Sequence, residues 1–127
     1  MKPENVRFGP FIRTRRKEAD ATLQDVTEAI GISVSMLNDI EHGRRRPFEA
    51  DKIKSFCKYL ELDAVDEAEL YDKEARENRK VPSDLVDTFL YSEVGTLCRK
   101  AIRMTDRGEA TEGDWQEFLG IIENRVQ

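Results

Sequence analysis

Long apolar runs are missing from this 127-residue chain. No stretch approaches the ~18 consecutive apolar residues that a membrane-spanning helix needs. The opening residues, Met1 to Phe8, hold no apolar signal-peptide core. A soluble cytoplasmic protein with no membrane contact is therefore expected. Histidine occurs once, at His42, and cysteine twice, at Cys57 and Cys98. That scarcity leaves no ligand set for a metal ion. The two cysteines lie far apart inside amphipathic stretches and read as small buried hydrophobes, since a reducing compartment disfavours a disulfide. A lone His42 without partners reads as an exposed or hydrogen-bonded turn residue. No His-Glu-x-x-His, phosphate-loop glycine pattern or nucleophile elbow occurs, so neither an enzyme nor a cofactor is expected. Strand signals are missing too: no segment alternates with period two and β-branched enrichment. The fold class is all-α.

What is present is charge, at 37% of residues, with a net of −5 that hides an asymmetry. Residues 1 to 60 hold 12 basic and 9 acidic side chains, and residues 61 to 127 hold 9 basic and 17 acidic. A basic front and an acidic back would orient the molecule in the field of a polyanion.

Apolar periodicity divides the chain into helices. Phe8, Phe11 and Ile12 share a face of a first helix over residues 6 to 19, with Pro10 tolerated near its start. Thr22 and Asp25 form a shortened capping box for a second helix, whose apolar face is Val26, Ala29 and Ile30. Gly31 ends it, and Ser33 caps a third helix with Leu37 and Ile40 inward and Met36 beside them. Gly43 stops that helix. Ile53, Phe56, Cys57 and Leu60 make one buried stripe on a fourth, about residues 49 to 60. Asp66 to Glu77 suits a short fifth helix using Leu70 and Tyr71, with Glu74 to Lys80 reading as a solvated linker or a helical extension. Val81-Pro82-Ser83-Asp84 is a restart signal. After it come the apolar pattern from Leu85 to Met104, a break at Gly108, and a last helix begun by Thr111 and Asp114. The expected organisation is residues 1–62 as one domain, 63–81 as a charged helix or linker, and 82–127 as a small helical C-terminal segment for dimerisation or regulation.

Residues 22 to 47 carry the functional signal: a short helix, a glycine turn, a second short helix and a basic loop closed by Pro47. That arrangement lays a helix into the major groove of double-stranded DNA. Val26, Ile30, Ile32, Leu37 and Ile40 would lock the two helices together. Ser33, Val34, Ser35 and Asn38 lie on the outward, N-terminal side of the third helix, where base edges are met. Affinity would come from backbone phosphates. The candidates are Arg13 and Arg16 on the first helix, Arg44, Arg45 and Arg46 in the loop, and the backbone N–H groups near Thr22 and Leu23. Lys52 is a weaker candidate.

Residues 8 to 62 resemble the Xre/Cro-type helix-turn-helix family of phage and bacterial repressors. The resemblance is carried by Phe11-Ile12-Arg13 with Arg16, Thr22-Leu23, Val26, Ala29-Ile30-Gly31-Ile32-Ser33, Leu37, Ile40-Glu41, Gly43-Arg44-Arg45-Arg46-Pro47 and Leu60. It implies a five-helix, phage-repressor-like domain and a dimeric repressor. Three positions depart from the family pattern. Thr27 stands where alanine is usual, and its hydroxyl can bond back to a helix carbonyl. Val34 and Asp39 stand where long basic or amide side chains are frequent. Val34 suits a thymine methyl, Asn38 suits adenine, and Asp39 would repel phosphate or accept from cytosine.

The C-terminal segment must cover Leu85, Phe89, Leu97, Ile102, Trp115, Phe118 and Ile122. Some 45 residues make a marginal core alone, and a two-fold operator needs a two-fold protein, so a homodimer through this segment is expected. The alternative is that it folds back on its own N-terminal domain. The tail also resembles, through Val81-Pro82-Ser83-Asp84-Leu85 and Asp114-Trp115, that of Xre-type regulators paired with ImmA/IrrE-type metallopeptidases, which implies relief of repression by cleavage. The leading expectation is a sequence-specific transcription regulator, a homodimeric repressor that occupies promoter DNA. Two others stand beside it. One is an antitoxin whose acidic tail neutralises a toxin. The other is a protein–protein adaptor that no longer binds DNA, as Asp39 and the net negative charge would suit.

Overall fold

The computed structural model describes residues 6–127, which form eight helices and no strand. The chain divides into two compact units, Met1–Asp84 and Leu85–Gln127.

Five helices build the first unit: α1 (Phe8–Glu18), α2 (Leu23–Ile30), α3 (Val34–Glu41), α4 (Ala50–Leu60) and α5 (Ala64–Asn78). Local chemistry sets their ends. Thr22 and Asp25 close a reciprocal capping box on α2, which satisfies two backbone donors that have no partner inside the helix. Gly31 follows α2 at φ 79°, and its N–H donates to the Thr27 carbonyl at 2.8 Å. Ser33 caps α3 by accepting from the Met36 N–H at 3.0 Å, and Asp63 caps α5 from the Asp66 N–H at 2.9 Å. Each such cap is worth about 1 kcal/mol. The Thr27 hydroxyl donates to the Gln24 carbonyl at 3.0 Å, so a buried threonine leaves no unmet donor at the α2–α3 crossing.

One core unites the five helices. Phe8, Ile12, Val26, Leu37, Ile40, Ile53, Phe56 and Leu70 are its largest fully buried side chains. Phe48, from the loop after α3, packs edge-on to Phe8 with ring centroids 5.0 Å apart. α1 lies against α3 and α5, and α2 lies against α3 and α4. The α1–α3 crossing depends on Gly9: a Cβ there would stand 2.1 Å from the Ile40 carbonyl oxygen and 3.0 Å from that of Glu41.

The boundary expected at Leu62 cuts through this core, because Leu70, Tyr71 and Ala75 of α5 are buried in it. Nor is Glu74 solvated. It is 2% exposed, and one carboxylate oxygen takes the Lys80 ammonium at 2.7 Å. Its neighbour Lys73 is buried as well, with its ammonium 5.2 Å from the centre of the Phe11 ring. Pairing and a π-face let these two charged side chains of α5 be buried beside Leu70 and Tyr71.

The second unit holds α6 (Val86–Tyr91), α7 (Glu93–Asp106) and α8 (Glu112–Val126). Ser92 separates α6 from α7. Its hydroxyl accepts from the Gly95 N–H at 3.0 Å and donates to the Thr88 carbonyl at 2.6 Å. The Arg99 guanidinium donates to the Phe89 carbonyl, binding α7 to the end of α6. Thr111 and Asp114 cap α8 reciprocally, as their spacing predicts. No apolar side chain in this unit is buried.

Candidate nucleic-acid interface

α3 is held from behind and open in front. Leu37 and Ile40 anchor it in the core, while Ser33, Val34 and Ser35 are exposed and Asn38 and Asp39 half-buried. Val34 is 45% exposed, an apolar side chain facing outward on the first turn. The left-handed Gly31 fixes the angle between α2 and α3, and the Lys52 ammonium lies over that turn, 3.4 Å from where a Cβ at Gly31 would stand. Ser33 uses its oxygen as the cap acceptor and keeps its O–H as a donor. The His42 ring donates from Nδ1 to the Asn38 carbonyl at 2.8 Å. That bond satisfies a carbonyl at the α3 C-terminus.

The basic residues around α3 fall into two groups. Arg13 is exposed on α1 and has no ion-pair partner among the described residues, and Arg45 is exposed in the loop after α3. Arg44 reaches back to Asp39, with Nε 3.1 Å from the carboxylate. Arg46 donates to the Asn78 side chain at 3.1 Å. These loop arginines, with Arg7, Gly43, Pro47 and Glu77, line a concavity of about 290 Å³. Arg7 is the residue that sequence reasoning missed. It pairs with Glu77 at 2.6 Å, and the other oxygen of Glu77 takes the Phe8 N–H at 3.2 Å. A carboxylate 69 positions away thus caps α1, whose own N-cap, Arg7, offers no side-chain bond. Only the fold brings these residues together, so no local pattern signals them.

Two expected phosphate contacts are corrected by the geometry. Arg16 is buried, not presented. Its guanidinium makes two hydrogen bonds to Glu41, at 2.7 and 2.9 Å, and a third to the Ala21 carbonyl at 2.9 Å. The Glu41 hydrogen bond raises its pKa further above the usual arginine value. Three of its donors are used inside the protein, which ties α1 to the end of α3 and the start of α2. The Thr22 N–H is likewise engaged, by the Asp25 carboxylate at 2.9 Å. That bond and the Thr22 hydroxyl hold Asp25 below the ordinary carboxylate pKa, so a negative charge already occupies this helix start. The box leaves the Leu23 N–H untouched.

Elsewhere the chemistry is quiet. Both cysteines are free thiols. Burial, with help from Glu67 and Asp66, pushes the Cys57 thiol up to about 12. Among the described residues no cluster of His, Cys, Asp and Glu could hold a metal ion, and no helix is long and apolar enough to cross a membrane.

A core-anchored helix behind a left-handed glycine turn, with its first turn facing outward, defines a helix-turn-helix domain. The helix-turn-helix domain family matches residues 7–70, half of the chain, and the chain belongs to that family. No curated protein and no solved structure matches it.

Proposed function

We propose that the chain is a sequence-specific regulator of transcription that binds double-stranded DNA as a homodimer and represses by occupying promoter DNA. The observation that carries this reading is the braced, outward-facing start of α3 beside exposed arginines from α1 and the following loop. In the major groove Val34 would meet a thymine methyl, Asn38 an adenine edge, and Ser33 and Ser35 whatever base edges lie in reach. Arg13, Arg45, Arg44 and Arg46 would contact phosphates, with the Leu23 N–H as a backbone donor. Asp39 argued for an adaptor that has lost DNA binding. Its pairing with Arg44 lowers that objection, because the carboxylate does not face phosphate uncompensated.

Homodimerisation through the C-terminal unit is part of the same reading, supported by the apolar side chains left uncovered there. Selection of DNA from a random pool by the purified chain tests it. A palindrome with half-sites about one helical turn apart is the expected product. Enrichment of no sequence at all would overturn DNA recognition.

A further inference from the structure

The last turn of α5 holds two arginines from distant parts of the chain. Glu77 takes Arg7, the residue before α1, through Nε at 2.8 Å and Nη2 at 2.6 Å. The next residue, Asn78, takes Arg46 of the loop after α3 at 3.1 Å. α5 stops there, where Arg79 turns left-handed at φ 53°.

A contact that merely joined α5 to α1 would use up both partners, and this one does not. A guanidinium has five N–H donors. Glu77 engages two of those on Arg7, and the other three have no protein partner among the described residues. The pair is also uneven in depth: the Glu77 side chain is 18% exposed and that of Arg7 65%. The second oxygen of Glu77 accepts from the Phe8 N–H at 3.2 Å, at the start of α1, where the helix dipole offsets part of its charge. An anion arriving from solvent therefore meets the guanidinium first, with the carboxylate beneath it as the group that orients it.

The free edge of Arg7 lies beside the arginine loop. Its Nη1 is 3.7 Å from where a Cβ on Gly43 would stand, so it overlies the glycine that opens the loop. Arg7 then shares one concavity with Arg44, Arg45 and Arg46, and Glu77 is the single carboxylate of that lining. The concavity is continuous with the outward face of α3, because Arg44 bonds to Asp39 on its second turn. A sugar-phosphate strand leaving the base pairs under α3 would pass over it. A guanidinium already held in place loses less freedom when it binds, and its planar fork suits phosphate oxygens.

We propose that Arg7 is a further contact to the phosphate backbone of DNA, and that Glu77 and Asn78 are positioning residues that set Arg7 and Arg46 for that contact. This rests on the DNA-binding reading and adds the end of α5 to it.

The test uses the full-length chain and the duplex returned by selection from a random pool, with affinity read by fluorescence anisotropy across a salt series. Circular dichroism establishes that each variant is folded under the conditions of binding. Arg7→Ala should make the log–log salt slope shallower by about 0.9 per bound protomer. It should weaken selected and unrelated sequences alike, as a phosphate contact does. Arg7→Lys keeps the charge and should keep the slope. Asn78→Ala, which frees Arg46 and removes no charge, should weaken binding by about threefold at an unchanged slope. Glu77→Ala removes a negative charge, which by charge alone would tighten binding. As the loss of an orienting group it should instead weaken binding by about threefold. An Arg7→Ala chain with the wild-type slope, or an Arg7→Lys chain with the slope of Arg7→Ala, overturns the phosphate contact and leaves DNA binding standing. Tighter binding by Glu77→Ala, or wild-type binding by Asn78→Ala, overturns the positioning role. A wild-type chain that binds no duplex overturns this inference together with the reading on which it rests.

Discussion

The Arg16 guanidinium and the Glu41 carboxylate meet in two hydrogen bonds, at 2.7 and 2.9 Å, with the Glu41 side chain 1% exposed. The pair joins the last turn of α1 to the last turn of α3. The helix that faces outward is therefore aligned by an ionic contact on its hidden side, and the arginine that by sequence looks ready for phosphate is spent on that alignment.

Removing one partner should cost far more than removing both. Arg16→Ala leaves a buried carboxylate alone and is expected to lose about 3–5 kcal/mol of stability. The double replacement Arg16→Met with Glu41→Leu is expected to recover most of it. Urea unfolding followed by circular dichroism reads both. An Arg16→Ala chain that folds normally but binds DNA with a shallower salt dependence would reverse the assignment.

Gly9→Ala should be among the most damaging small substitutions in the chain. The added methyl meets backbone carbonyls of α3, which cannot move without rotating that helix, and a loss of about 2–3 kcal/mol is expected. Gly31→Ala meets only the Lys52 amine and pays for positive φ, about 1–2 kcal/mol. Thermal unfolding of the two variants should rank them in that order.

Arg44 is exposed and Asp39 only half-buried, so their ion pair is open to solvent and contributes little to folding. Asp39→Ala should shift stability by under about 0.5 kcal/mol while altering base preference on the second turn of α3. Arg45 is exposed in the loop and would neutralise one phosphate in the proposed complex, so Arg45→Ala should make the log–log salt slope of DNA binding shallower by about 0.9. Fluorescence anisotropy across a salt series separates the two effects.

Acid should loosen the start of α2. The Thr22 N–H holds the Asp25 carboxyl below its ordinary value. Such a group adds stability that is complete above its unfolded pKa, about 3.9. That stability is lost as pH falls through the lower folded value. Asp25→Asn should lack this component, so its unfolding midpoint should vary less than that of the wild type below about pH 4. Parallel pH profiles for the two chains would show that the box adds nothing at acid pH.

Local signals were legible in the sequence wherever the cause is local. The Thr22–Asp25 box, the helix start at Thr111 and Asp114, the Ser33 cap and the α4 stripe follow from spacing alone, and the structure has each of them, with Ile53, Phe56 and Cys57 buried and Leu60 partly so. What spacing hides is the distant partner. A charged residue on a helix face reads alike whether it meets a phosphate or a carboxylate 25 positions on, as Arg16 does. Glu74 and Lys73 look solvated for the same reason: their acidic surroundings mask the ion pair and ring contact that let them be buried. The cavity wall of Arg7 and Glu77 joins residues 70 apart, and nothing short of the fold announces it.

The end of α5 fastens two things at once, the first helix through Glu77 and the arginine loop through Asn78. Anyone trimming this protein to its smallest working piece should therefore cut no earlier than the residues just after Asn78. A fragment stopped at Leu62 would keep every part of the helix-turn-helix motif yet uncover one side of its interior and free the loop that follows it.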